Sequence, residues 1–285
     1  MKKLLFHTLA LLLALPGFAQ IKTPAASPAA KVIQTVGLSE ITVEYSRPSV
    51  KGRTIFAEDG LVPYGKLWRT GANAATKITF SDDVMLGADN FKLAAGEYAI
   101  LTKPMAEVWH VMFYPYESSS WGSYVDKEAA ATLKAEVNKT GHMVETFTIG
   151  FDKLTMDGAH LVFAWENTMV ALPIRTEVHE AVMADIKRTM AGPTANDYFR
   201  AASYLHDSGQ DLELALEYIQ KATNVEEPRF WMVRREALIL KDLGRSQEAI
   251  AAAKRSLELA RAAGNEDYVR MNEKSIAEWT GKSQK

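Results

Sequence analysis

The chain has 285 residues, of which 47% are hydrophobic and 24% charged, and its 33 basic and 35 acidic side chains give a net charge of −2. This composition is that of an ordinary globular protein and gives no support to binding of nucleic acid or of an anionic membrane surface. The absence of cysteine excludes thiol nucleophiles and disulfides, and a chain of this length buries a hydrophobic core without such links.

The N-terminus has the order of a secretory signal peptide. Two lysines precede an apolar run at residues 4–15, and small residues follow at Gly17 and Ala19. The run is too short to cross a bilayer, which takes about 20 apolar residues. We therefore expect a signal peptide at residues 1–19, export to the periplasm or the cell exterior, and no membrane span after its removal.

The next region is predicted to be a linker followed by a β domain. Residues 20–30 are rich in Ala, Pro and Ser, as in a linker. From residue 31 to residue 175 apolar and polar side chains alternate, which is the pattern of strands with one buried face. Asp157-Gly158 between two such runs predicts a hairpin, and the short turns favour an antiparallel sandwich or barrel. The clearest alternating runs are 41–45, 109–113, 131–137, 147–151, 161–165 and 170–174.

Residues 176–281 change to a helical spacing of apolar side chains and are predicted to be all-α. Helix start signals include Thr194, three residues before Asp197, and Asn265 before the last helix. Similar residues recur at an interval of 34, which is the period of tetratricopeptide helical hairpins. Such hairpins dock proteins, so we expect a protein partner for this region. The matching pairs are Leu205 and Ile239, Ala215 and Ala249, and Ala222 and Ser256.

Motifs of known catalytic chemistry are absent from the sequence. It contains no G-x-S-x-G, H-E-x-x-H, P-loop or G-x-G-x-x-G motif. No two histidines stand at a spacing that forms a local metal site. We therefore predict neither a metal nor a cofactor, and the sequence identifies no catalytic residue.

One segment, residues 47–73, combines basic, aromatic and glycine residues densely. Guanidinium groups bind carboxylate or phosphate in two-pronged fashion, and aromatic rings stack on sugars, so an anionic or carbohydrate ligand is one interpretation. The other is structural: Trp68 is buried, and the arginines donate to main-chain carbonyls of an irregular connection. The candidate ligand-binding residues are Arg47, Lys51, Arg53, Tyr64, Trp68, Arg69 and Asn73.

The same segment resembles a known family. Its residues 45–48 (Tyr-Ser-Arg-Pro), 61–65 (Leu-Val-Pro-Tyr-Gly) and 68–73 (Trp-Arg-Thr-Gly-Ala-Asn) are similar to those of the exported bacterial domain of unknown function 2911. The resemblance covers about residues 28–176 and implies an exported β domain, often followed by helical repeats, with no established activity. An acidic residue often follows the Asn in that family, whereas this chain has Ala74.

These features lead to a functional hypothesis and its rivals. The leading one is an exported envelope binding and scaffold protein whose β domain holds a ligand or partner and whose helices dock a second protein. The alternative is an envelope hydrolase or lyase acting on an anionic or carbohydrate substrate at the segment 47–73. A purely structural envelope component is the third possibility.

Overall fold

The computed structural model describes residues 23–190 and 192–281, so the predicted signal peptide at residues 1–19 lies outside the described residues. Within these ranges the chain forms a nine-stranded antiparallel sheet, a separate two-stranded sheet and six α-helices. A β domain with a helical domain is the predicted fold class. The first strand begins at Ala29, so it overlaps the last two residues of the predicted linker.

The strands follow one another in the order of the alternating sequence runs. The nine-stranded sheet has the spatial order β1-β2-β5-β8-β9-β10-β11-β6-β7, and β3 and β4 form a short parallel pair apart from it. The bounds are β1 Ala29–Val36, β2 Ser39–Ser46, β3 Phe56–Ala57, β4 Val62–Pro63, β5 Thr76–Phe80, β6 Val84–Leu86, β7 Phe91–Leu93, β8 Gly96–Pro104, β9 Val108–Pro115, β10 Ala131–Asp152 and β11 Gly158–Thr176.

Strand β10 belongs to both halves of the sheet and makes it curl. Its residues 131–136 pair with β9, and its residues 137–152 pair with β11. The pairing with β11 shifts register on either side of Val144, and Glu166 opposite it has a positive φ of 56°. Such bulges bend and twist a strand. The inner faces of the two halves therefore enclose one core.

The core consists of the residues that the alternation places on one face of each strand. Its largest side chains are aromatic, and Tyr45 on β2 contacts Phe147 on β10 edge to face with ring centroids 5.9 Å apart. Each large buried side chain of this kind contributes about 1.5–3 kcal/mol to folding. The largest fully buried members are Phe80, Trp109, Phe113, Phe147, Phe163 and Trp165.

The helices form consecutive antiparallel neighbours, in which α2 packs on α3, α3 on α4, α4 on α5 and α5 on α6. Thr194 caps α2 in a reciprocal pair of hydrogen bonds with Asp197, and the side chain of Asn265 accepts from the N–H of Tyr268. All six residues that match at the 34-residue interval are buried. In the described ranges no helix is long and apolar enough to cross a membrane. The bounds are α1 His179–Thr189, α2 Ala195–Asp207, α3 Leu212–Thr223, α4 Phe230–Asp242, α5 Ser246–Ala262 and α6 Glu266–Trp279.

The turn between β1 and β2 lies against the start of the helical region. Gly37 has a φ of +61°, and a Cβ there would lie 2.4 Å from Cγ2 of Val178 and 2.5 Å from the hydroxyl of Thr176. The Thr176 hydroxyl donates to the carbonyls of Val36 and Asp157. The end of β11 is therefore fixed to the β1–β2 turn immediately before α1 begins.

Replacing Ala249 by Leu tests the close approach of α4 and α5. Ala249 is fully buried in the helical core, so the extra atoms force neighbouring side chains or helices to move. We expect a loss of about 1–3 kcal/mol in the free energy of unfolding, measured by urea denaturation. Ala251→Leu on the exposed side of α5 is the control and leaves stability nearly unchanged. An equal effect of both substitutions would contradict a close crossing at Ala249.

Glu236 on α4 gives the helical region a predictable pH dependence. Burial raises the pKa of Glu236 above its ordinary value, although its carboxylate accepts a 2.8 Å hydrogen bond from the Thr223 hydroxyl. The folded state therefore favours the protonated acid, and stability falls as pH rises from about 4.5 through the raised pKa.

We expect Glu236→Gln, which keeps an acceptor for Thr223 but carries no charge, to be more stable than the wild type at neutral pH. Below pH ~4.5 the two proteins unfold alike, because Glu236 is then protonated in both the folded and the unfolded state. Urea titrations across this pH range measure the difference. A stability advantage of the wild type at neutral pH would contradict the proposed cost of burying the carboxylate.

Candidate functional site

The segment 47–73 lengthens the sheet at two places. The main-chain carbonyl of Pro48 accepts a hydrogen bond from the N–H of Phe147, and the N–H of Val50 donates to the main-chain carbonyl of Glu145. This stretch therefore pairs with β10. Farther along, Trp68 and Thr102 exchange main-chain hydrogen bonds of 2.7 and 2.9 Å, which adds a bridge to β8. The segment therefore occupies edge positions on both halves of the curled sheet.

Trp68 inserts between those halves. Its ring stacks on Trp165 at 5.8 Å between centroids and meets Phe147 and Trp109 edge to face at 5.0 and 6.0 Å. The indole N–H donates to the carbonyl of Gly71 at 3.1 Å. The side chain is partly rather than fully buried, yet it contributes to the main aromatic core.

Arg47 connects β2 with β10. Its Nε donates to the carbonyl of Phe147 at 3.0 Å, and its Nη2 donates to the hydroxyl of Thr148 at 2.8 Å. The guanidinium is half-buried between the two strands. It supplies donors to a part of β10 where the register of the ladder shifts.

The other cations of the segment bind close to their own position in the chain. Arg53 donates to the carbonyls of Ser49 and Val50, and Arg69 donates to the carbonyl of Asn73 and lies 5.1 Å above the ring of Trp121. These arginines are close together in the sequence, but in the structure each guanidinium donates to a different set of acceptors.

The remaining candidates also contact the main chain or the core. Lys51 is exposed, and its N–H donates to the Glu145 carboxylate at 3.0 Å. Tyr64 packs partly buried against the core. The Asn73 amide donates to the carbonyl of Ser27 and the hydroxyl of Ser46.

Thr70 shows how tightly the segment is held. It has a φ of +56°, a conformation that a β-branched residue adopts at a cost of about 1–3 kcal/mol. Its side chain is completely buried and donates to the Thr102 hydroxyl, and its carbonyl accepts from Thr76 at 2.6 Å. These buried hydrogen bonds hold the strained turn in place.

A cavity of about 640 Å³ lies where the sheet meets the helices, away from the segment 47–73. Three stretches of chain contribute to it: the β10–β11 turn, the connection into α1, and the end of α2. None of these stretches carries a known functional motif, so local sequence patterns do not predict that they meet. The lining residues are Thr155, Met156, Asp157, Thr176, Glu177, Val178, His179, Glu180, Tyr204, Asp207, Ser208 and Gln210.

An aromatic pair forms part of the wall of this junction cavity. The rings of His179 and Tyr204 are stacked with centroids 6.1 Å apart, and Nδ1 of His179 shares a hydrogen bond of 3.2 Å with the Tyr204 hydroxyl. Burial, with a smaller contribution from the charge of Asp157, raises the pKa of Tyr204. The hydroxyl is therefore neutral and remains a hydrogen-bond donor at physiological pH.

The charge of the lining is negative. Four carboxylates contribute to it, and the lining contains no Lys or Arg. Asp207 is paired with Arg235, which also donates to Nδ1 of His206 at 2.8 Å. Asp157, Glu177 and Glu180 are exposed and accessible to a ligand.

Other parts of the described chain offer weaker candidates for a metal or ligand site. Within residues 23–190 and 192–281 no group of three or more His, Asp and Glu is arranged to hold a metal ion. Ala74, where the family often has an acidic residue, lines a shallow cavity of about 450 Å³ beside Lys31, Glu44 and Lys77. Lys77 is already paired there with Glu44 and Glu97.

Comparison with known proteins identifies the family. The comparisons with curated proteins and with solved structures found no match. The model of the family described as "Protein of unknown function (DUF2911)" matches residues 27–174, that is, 148 of the 285 residues. This match includes the segment 47–73 and all eleven strands described above except the last two residues of β11. The chain therefore belongs to the DUF2911 family.

Proposed function

We propose that the protein is an exported binding and scaffold protein that holds a small, positively charged ligand in the junction cavity and docks a second protein on its helices. The observation that carries this proposal is the cavity itself. Its volume of about 640 Å³ lies within the range of about 300–1,000 Å³ typical of small-molecule sites. Sheet and helices both contribute to its wall, so a bound ligand contacts both.

The acidic residues that line the cavity favour a positively charged ligand. Asp157, Glu177 and Glu180 are not balanced by any Lys or Arg in the wall. The stacked rings of His179 and Tyr204 offer a surface for the apolar part of a cation. An amine with a short carbon chain combines these properties, whereas an anion would meet repulsion.

Export and helical docking are further parts of the proposal. Export rests on the N-terminal sequence, with its basic start, apolar run and small residues before Gln20. We infer that α2 to α5 are tetratricopeptide-like hairpins, because the residues that recur at 34 positions are buried where neighbouring helices pack. Such hairpins leave a helix face for a partner protein.

We infer that the segment 47–73 has a structural role. Arg47, Arg53 and Arg69 all donate to main-chain carbonyls of the segment or of β10. These contacts support scaffolding rather than catalysis at this segment.

Titration with spermidine tests the junction cavity. We expect calorimetry at low salt to detect binding of this triamine, and Asp157→Asn and Glu180→Gln each to weaken it about two- to fivefold, as for exposed charge pairs. Glu58→Gln removes an exposed carboxylate from the β3–β4 connection and is the matched control. Absence of binding, or an equal loss in the control, would contradict a cationic ligand in this cavity.

Two arginine substitutions test the structural role of the segment. Arg47→Ala leaves the carbonyl of Phe147 and the hydroxyl of Thr148 without their donor and is expected to cost about 1–3 kcal/mol. Arg53→Ala costs less, because this side chain is exposed and water replaces it as a donor. Urea denaturation measures both. A fully stable Arg47→Ala protein whose wild type binds sulfate would favour the ligand-binding interpretation instead.

A further inference from the structure

Arg234 on α4 is a half-buried cation, and no carboxylate of residues 23–190 and 192–281 forms an ion pair with it. Its contacts are two neutral side chains of α6. Nη1 donates to Oδ1 of Asn272 at 3.0 Å and to the hydroxyl of Ser275 at 3.4 Å, and Nη2 donates to the same hydroxyl at 3.5 Å. Burial lowers the pKa of Arg234, and the nearby Tyr268 offsets this only in part. A charge in such a position is normally paired with an opposite charge, which this guanidinium lacks.

One edge of the Arg234 guanidinium is free to bind a ligand. The Ser275 hydroxyl bonds to the edge between Nη1 and Nη2, and Asn272 accepts from Nη1, so Nε has no acceptor in the described part of the chain. Among the partly and fully buried residues described, Oγ of Ser203 is the one buried side-chain polar atom without a partner. Nε of Arg234 is therefore in contact with solvent. The Nε–Nη2 edge is a fork that binds a carboxylate through two parallel hydrogen bonds.

A buried chain of hydrogen bonds fixes the position of this guanidinium. Asn272 is fully buried, and its amide donates to the Ser256 hydroxyl at 2.9 Å. That hydroxyl donates to the main-chain carbonyl of Phe230 at 2.8 Å. Oδ1 of Asn272 is then available to accept from Arg234. The chain connects α4, α5 and α6 and holds the free edge in one orientation, which reduces the entropy lost when a ligand binds.

A second cation lies on the same side of α4. Lys241 follows Arg234 by two helical turns, or about 10 Å. Its Nζ lies 6.0 Å from the centre of the Trp279 ring on α6 and donates to the Ser246 hydroxyl at 3.4 Å, and within the described ranges it forms no ion pair. The α6 side chains that contact the two cations are neutral. Acidic side chains of α6 form ion pairs with other cations: Asp267 with Arg270, Glu273 with Arg261 and Glu278 with Lys274.

We propose that the side of α4 and α6 that carries Arg234 and Lys241 binds an acidic peptide segment of the partner protein, with one carboxylate on the Nε–Nη2 edge of Arg234. This inference rests on the helical docking proposed above and adds the chemistry of the partner. An extended peptide rises about 3.3 Å per residue, so a second carboxylate three residues along reaches Lys241. A single free carboxylate leaves Lys241 without a counter-ion, which is why a peptide is the chosen occupant.

Fluorescence anisotropy with a labelled, C-terminally amidated hexaglutamate peptide tests this proposal on the full chain without the predicted signal peptide. We expect saturable binding to the wild type. Arg234→Gln removes the charge and the fork and raises the dissociation constant at least about tenfold, because charge-assisted hydrogen bonds are lost. Arg234→Lys keeps the charge without the fork and weakens binding nearly as much.

Further measurements distinguish this site from general attraction of a basic surface. Lys241→Gln weakens binding about two- to fivefold. Lys254→Gln removes the same charge from the exposed side of α5 and is the control, with binding unchanged. Far-ultraviolet circular dichroism and the urea midpoint verify that each variant is folded. Since Arg234 also bonds to α6, nuclear magnetic resonance of the wild type provides an independent measurement: hexaglutamate shifts the Arg234 Nε–H signal.

The outcomes decide the proposal. Tenfold weaker binding to folded Arg234→Gln, with Lys254→Gln unchanged, supports it. Absence of hexaglutamate binding, an equal loss in Lys254→Gln, or an unshifted Arg234 Nε–H signal overturns it. Displacement of hexaglutamate by acetate or phosphate at an equal concentration of anionic groups also overturns it and assigns the site to a small free anion. Binding of hexalysine but not of hexaglutamate overturns the acidic partner while leaving helical docking in place.

Discussion

The position of Trp68 between the two halves of the sheet is the constraint on which the β domain depends. A sheet that curls through one long strand leaves an open end, and there the aromatic rings of Trp109, Phe147 and Trp165 need a cover. Trp68 supplies it through ring contacts at 5.0 to 6.0 Å. Its main chain is fixed to Thr102 by two hydrogen bonds. Trp68 therefore both closes the open end of the sheet and completes the packing of its aromatic core.

Most of the surrounding segment holds Trp68 in this position. Residues 48–50 pair with β10, residues 65–68 pair with β8, and Arg47 bonds to β10 where its ladder is irregular. The strained backbone at Thr70 is retained because its buried hydroxyl and carbonyl both find partners. Several residues in the part of the segment that resembles the family, such as Arg47, Trp68 and Thr70, therefore take part in closing the sheet. Their contacts support the structural role that we infer for the segment.

Local patterns in the sequence predict individual strands and helices but not how these elements assemble. Alternation at 41–45 and 109–113 predicts strands with one buried face, and Thr194 and Asn265 begin helices because their side chains accept from main-chain N–H groups three residues on. Alternation does not reveal that β10 changes partner after residue 136, since pairing between distant strands leaves no local signal.

The site was harder to predict for the same reason. Clustering in sequence suggested that Arg47, Arg53 and Arg69 act together, yet a guanidinium takes whichever acceptors its own stretch of chain provides. The junction cavity draws Asp157, His179 and Tyr204 from three separate elements. Each of them has an ordinary sequence context. Only the packing of α2 against the β10–β11 turn gives them a common environment.

The junction also relates the proposed ligand cavity to the start of the sheet. Thr176 at the end of β11 bonds to Val36 at the end of β1, and the residues that follow it form one wall of the cavity. Strand β1 is thus attached at one end to residues beside this cavity. The turn at Gly37 is in direct contact with Val178 in the wall of the cavity. The wall of the proposed ligand cavity therefore depends on the packing of the β1–β2 turn as well as on the helices.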